Sequence, residues 1–73
     1  MATTYNNLYM DIRQQLRMAG VQAATLEARE LVCFASGKTR QQLSRDGQLY
    51  VPPAVEEQAR ELVRRHLAGE PVA

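Results

Sequence analysis

The sequence has no Trp, one Cys, one His and one Phe, and its four glycines stand singly at positions 20, 37, 47 and 69. A single thiol excludes an internal disulfide framework. One His and one Cys fall short of the four ligands a structural zinc site usually draws. Isolated glycines exclude a glycine-rich phosphate loop. Nine Lys/Arg stand against eight Asp/Glu, a net charge of +1. The basic excess that supplies most nucleic-acid affinity is therefore missing. No apolar run approaches the ~20 residues of a membrane span, and Met1 to Met10 lacks the basic flank and apolar core of a signal peptide. A cytoplasmic location is the expectation. At 73 residues, 45% of them hydrophobic, the chain has room for one domain with a small core. It is too short for a doubly wound nucleotide-binding sheet and too apolar for a disordered tail.

What is present is helical periodicity. Tyr5, Leu8, Tyr9, Ile12, Leu16 and Ala19 follow the i, i+3, i+4, i+7 spacing of one face, predicting a helix from Thr4 to Ala19 with Thr3 or Thr4 as cap and Gly20 as stop. Ala28, Leu31, Val32 and Ala35 form a second stripe that ends at Gly37. Leu26 and Cys33 project about 150° from it, so this helix is either packed all round or carries a second interface. Thr39 to Gln42 is a capping-box pattern opening a short helix with Leu43 as its core contact, and Asp46-Gly47 is a turn. Leu49-Tyr50-Val51 is too short for a strand, and Val51 occupies the place of a hydrophobic staple. Pro53 suits the first position of a helix running to Ala68, with Glu56 and Glu57 early and Arg64, Arg65 and His66 late, as the helix dipole favours. Val55, Ala59, Leu62 and His66 share its stripe, Val63 flanks it, and Gly69 and Pro71 close it. The expected fold is a small all-α bundle of four to five helices with short connections.

The chemistry the residues support is thin. Cys33 and His66 lie on separate helices with no third group to orient them, so a buried or half-buried thiol and a structural or interface imidazole are the simpler readings. Glu27, Glu30, Glu56 and Glu57 read as surface charges, not as an acid pair. Lys38, Arg40 and Arg45 surround the short third helix, and with the Gly37 turn they give a helix-turn-helix appearance.

The order of several short motifs carries more. Glu27-Ala28-Arg29 precedes Leu31-Val32, Ser36-Gly37-Lys38 follows, Leu49 stands ahead of the fourth helix, and the chain closes on Arg64-Arg65-His66-Leu67-Ala68-Gly69-Glu70-Pro71-Val72-Ala73. In this order and spacing the chain resembles the N-terminal domain of the HemK/PrmC family, the protein-(glutamine-N5) methyltransferases of peptide-chain release factors. Two departures stand out: His66 occupies the second position of the family's basic pair, and Pro52-Pro53 replaces its Thr/Ser-Asp/Glu helix opening.

The resemblance implies a helical substrate-recognition domain over 1–68, with 69–73 starting a linker to an S-adenosylmethionine-dependent catalytic domain. It implies a parent enzyme that methylates the Gly-Gly-Gln glutamine of class I release factors. The cofactor-binding domain and its Asn-Pro-Pro-Tyr motif would lie beyond Ala73, so this chain holds no catalytic, cofactor-binding or metal residue by that reading. The expected partners are the release factor and the chain's own catalytic domain, with neither membrane nor nucleic acid. Candidate contact residues are Leu26, Arg29, Cys33, Arg64, Arg65, His66 and Glu70, and residues 69–73 are expected to be loosely held. The competing expectation is a stand-alone helix-turn-helix or adaptor module that binds nucleic acid or protein.

Overall fold

The computed structural model describes residues 2–69, in which four helices follow one another: α1 (Tyr5–Met18), α2 (Ala24–Ser36), α3 (Arg40–Arg45) and α4 (Pro53–Leu67). Several of their ends have a local cause. The Thr4 hydroxyl accepts the Asn7 N–H at the start of α1. At its end Gly20, at φ +85°, lets its own N–H reach the Arg17 carbonyl while Val21 N–H reaches that of Leu16. That pair of bonds is a Schellman motif. α2 stops at Gly37, which takes the left-handed conformation at φ +73°. The Thr39–Gln42 capping box forms in full, with Gln42 N–H on Thr39 Oγ1 at 3.1 Å and Thr39 N–H on Gln42 Oε1 at 3.0 Å. Pro53 opens α4, where its missing N–H is not needed.

The core is one cluster drawn from every helix. Leu8, Ile12 and Leu16 of α1, Ala28, Leu31 and Val32 of α2, Leu43 of α3, and Ala59 and Val63 of α4 are all buried. Each large member contributes about 1.5–3 kcal/mol by leaving water. α2 is the central element and packs against the other three.

The connection between α3 and α4 is fastened to the start of α1. Tyr5 N–H bonds the Leu49 carbonyl at 3.0 Å, Asn6 N–H that of Gly47 at 2.9 Å, and Val51 N–H that of Thr3 at 2.7 Å. Thr4 and Tyr50 form an isolated antiparallel bridge, so Leu49-Tyr50-Val51 uses strand-type pairing without becoming a strand. Val51 is buried as a staple residue would be. The position that would meet it on α4 is Glu56, so Val51 packs into the common core instead.

Three expectations shift in detail. Ala19 is exposed, because the chain leaves the core after Leu16 to form the turn, and Tyr9 is only half-buried, its ring lying at the edge of a cleft. The buried centre of α4 is Ala59 and Val63, with Val55, Leu62 and His66 on its flanks. α2 is not packed all round, since Leu26 and Phe34 are exposed. No helix among the described residues is long and apolar enough to cross a membrane. The expectation of a loose segment at 69–73 falls, apart from Gly69, outside the described residues.

Candidate functional site

α2 divides its residues between two surfaces. Ala24, Ala28, Leu31 and Val32 face the core, and at 100° per residue Leu26, Glu30 and Cys33 lie on the opposite side. Leu26 is 45% exposed, and Phe34, at the edge of this outer side, is 56% exposed. Glu30, Cys33 and Phe34 line one shallow depression with Gly37, Lys38, Thr39 and Arg40. Of the pair that helical arithmetic sets apart from the core stripe, Leu26 is thus uncovered, while Cys33 is half-buried and packs against the edge of the core cluster. Phe34, which periodicity alone does not single out, supplies the largest side chain of this outer side. Helix position is the signal that could have found it, because Phe34 stands one turn after Glu30 and falls toward the same side.

Cys33 is half-buried. Burial pushes its thiol above the ordinary value, while Arg40 and Arg29 act in the opposite direction and Glu30 adds to the rise. A thiol held protonated is a poor nucleophile. Cys33 therefore lacks the lowered pKa of an activated thiol.

The α4 candidates separate. The His66 imidazole reaches across to α2, where its Nε2 meets the Glu27 carboxylate. Its Nδ1 is buried with no hydrogen-bond partner among the described residues. His66 therefore ties the last turn of α4 to the first turn of α2. Arg64 and Arg65 stay exposed on the other side, both paired with Glu61 of their own helix. Glu70 lies outside the described residues.

Arg29 turns away from Leu26 toward α1. Its guanidinium lies over the Tyr9 ring at 5.9 Å, and that of Arg13 lies over the same ring at 5.5 Å. Beside them is a cleft of about 280 Å³ between α1, α2 and α3, lined by Tyr5, Tyr9, Arg29, Arg40, Leu43 and Gly47 among others. The sequence singles out Arg29 but not this cleft, because the spacing of α1 assigns Tyr9 to the core.

Of the basic residues that give the helix-turn-helix appearance, Lys38 and Arg45 are occupied and Arg40 is loosely paired. Lys38 Nζ lies 2.9 Å from Asp46 Oδ2 and Arg45 Nε 3.1 Å from Asp46 Oδ1, while Arg40 reaches Glu30 at 3.5 Å. α3 has six residues, about 9 Å of helix. A recognition helix of that length with neutralised flanking cations is poorly made for a DNA groove. Among the described residues no group of three His, Cys, Asp or Glu side chains is placed to hold a metal ion.

Arg45 and then Lys38 hold the Asp46 carboxyl below the ordinary carboxylate range. A carboxyl depressed in the folded state contributes stability above its unfolded pKa, near 4, and loses it as pH falls through the folded value. Asp46→Asn is accordingly expected to lower Tm at neutral pH, with the gap to wild type closing as pH falls below about 4. Thermal unfolding followed by circular dichroism from neutral pH down through that value checks this. A gap that stays constant with pH would show that the Asp46 charge has no part in stability.

A family model described as the PrmC N-terminal domain matches residues 7–73. No curated protein and no solved structure gives a significant match to the chain.

Proposed function

The chain belongs to the PrmC N-terminal domain family, and from that premise we propose that it is the non-catalytic recognition domain of a protein-(glutamine-N5) methyltransferase. In this reading it helps to hold a class I peptide-chain release factor while a separate catalytic domain methylates the glutamine of the Gly-Gly-Gln motif. A flexible loop carrying one target glutamine offers little area for binding. A second contact elsewhere on the substrate raises affinity through effective concentration.

The observation that carries the reading is the outer side of α2. The core is filled from all four helices, yet the central helix leaves Leu26 and Phe34 uncovered, Phe34 beside the half-buried Cys33. Apolar side chains grouped on one face of a small domain mark an interaction surface. Methyl transfer with S-adenosylmethionine belongs, in this proposal, to the other domain. No step of the reaction is assigned to residues of this chain.

Isothermal titration of the 73-residue chain with a class I release factor tests the proposal. Saturable binding by the isolated chain is the expected result. Absence of binding at about 100 μM of each protein, where any Kd of use to a recognition domain would register, would remove the recognition role. So would turnover of S-adenosylmethionine by the chain alone, because it would place the chemistry here.

A further inference from the structure

Most arginines of the domain already have a carboxylate. Arg40 pairs with Glu30, Arg45 with Asp46, Arg60 with Asp11 and Glu56, and Arg64 and Arg65 with Glu61. Arg13, Arg17 and Arg29 have none among the described residues. Arg29 differs from Arg17 in its setting, because it lies over the Tyr9 ring and forms part of a cleft wall. Stacking on an aromatic face fixes the plane of a guanidinium without using its N–H donors. The donors of Arg29 are thus left without a carboxylate partner among the described residues.

The rest of the lining defines what could enter. Tyr5 and Leu43, both buried, give the cleft an apolar base, and Asn6 and Ser44 bring polar side chains to it. Arg40 stands at the same cleft, and its contact with Glu30 is long, at 3.5 Å between two side chains at least half exposed. An exposed pair of this kind is worth little, so Arg40 can be drawn to an incoming anion. We infer that this cleft is a binding site for an acidic side chain, an Asp or Glu of a protein partner with an apolar neighbour in sequence, its carboxylate held by Arg29 with Arg40 beside it.

A protein carboxylate fits better than a nucleic-acid phosphate. One small cleft with an apolar base suits a single side chain, whereas a phosphate backbone is tracked by a basic stripe. Here Lys38 in the α2–α3 turn and Arg45 at the end of α3 are spent on Asp46, and Arg60 of α4 is paired with Asp11 of α1, so no such stripe is formed among the described residues. The inference goes beyond the recognition role, since it names a ligand chemistry and a pocket that can be tested without a release factor.

The probe is a blocked hexapeptide, Gly-Leu-Glu-Glu-Leu-Gly, with its twin carrying Gln in place of Glu. Each is titrated to about 10 mM, a range that registers free energies near −4 kcal/mol, into the isotope-labelled 73-residue chain and followed by amide shifts. The Glu peptide is expected to move Tyr9, Arg29, Leu43 and Gly47 saturably, and the Gln peptide to bind about tenfold more weakly or not at all. Arg29→Gln should abolish saturation, while Arg17→Gln, the same charge change outside the cleft, should leave it intact. Equal binding of the two peptides, shifts confined to other residues, or no response to the Glu peptide would overturn the inference. So would a single-stranded oligonucleotide that moves the same amides at lower concentration. The recognition role is judged separately: peptide binding without release-factor binding keeps the cleft and removes that role, and the converse result does the reverse.

Discussion

Leu8→Ala is expected to leave the domain largely unfolded at 37 °C. Leu8 is fully buried in the first turn of α1, on its inner face, in a cluster that includes side chains from all four helices. Truncation removes the transfer free energy of the lost carbons and leaves a cavity, together about 2–5 kcal/mol. A chain of this length has about 4–11 kcal/mol in total, and small domains tend toward the lower end because they bury a smaller share of their surface. For a domain of this size each kcal/mol is worth about 4–8 °C in Tm, so a fall of roughly 10 °C or more should appear in the helical circular dichroism signal. Met18→Ala is the comparison. Met18 sits on the same helix but is 82% exposed, and its truncation should change stability by no more than about 0.5 kcal/mol. If Leu8→Ala moved Tm no further than Met18→Ala, the assignment of α1's inner face to the core would be wrong.

The elements that sequence patterning locates well are those whose signals are local. Thr4, Gly20, Gly37, Thr39 with Gln42, and Pro53 each fix one helix end through a bond or a backbone angle set within a few residues, and all act as the pattern predicts. What patterning misses depends on distant partners. Glu27 looks like a first-turn surface charge, yet it meets His66, 39 residues away, because α2 and α4 pack together. Tyr9 fits the apolar spacing of α1, but its ring is given over to Arg13 and Arg29 at the edge of a cleft that exists only once α3 has folded back. The Gly37 turn and its cations resemble a helix-turn-helix in composition. Only the pairing of Lys38 and Arg45 with one aspartate, Asp46, shows that those charges serve the fold. Of the site candidates, Leu26 and Cys33 are accessible to helical arithmetic. The division of Arg64 and Arg65 from His66 is not, since it depends on which side of α4 faces α2.

Phe34→Asp is expected to weaken release-factor binding by about 30-fold or more while leaving the domain folded. Phe34 is more than half exposed, is absent from the core cluster, and borders the same depression as Cys33, so its replacement removes little that holds the helices together. If the outer side of α2 is the contact surface, the ring is its largest apolar element. Aromatic anchors of this kind typically carry at least 2 kcal/mol of binding, which corresponds to about 30-fold in Kd. A carboxylate placed there adds the cost of taking a charge out of water against an apolar partner. Leu26→Asp should act in the same direction, whereas Met18→Asp, the same chemical change on an exposed side chain of α1, should leave Kd within about threefold. Titration calorimetry gives the affinities, and a thermal scan of each variant separates lost contact from lost structure. Should Phe34→Asp and Leu26→Asp bind as tightly as Met18→Asp with unchanged Tm, the partner does not lie on the outer side of α2. The cleft formed by Tyr9, Arg29 and Arg40 would then be the surface to mutate next, because its neutral variant Arg29→Gln reads out a polar contact that the aspartate substitutions do not touch.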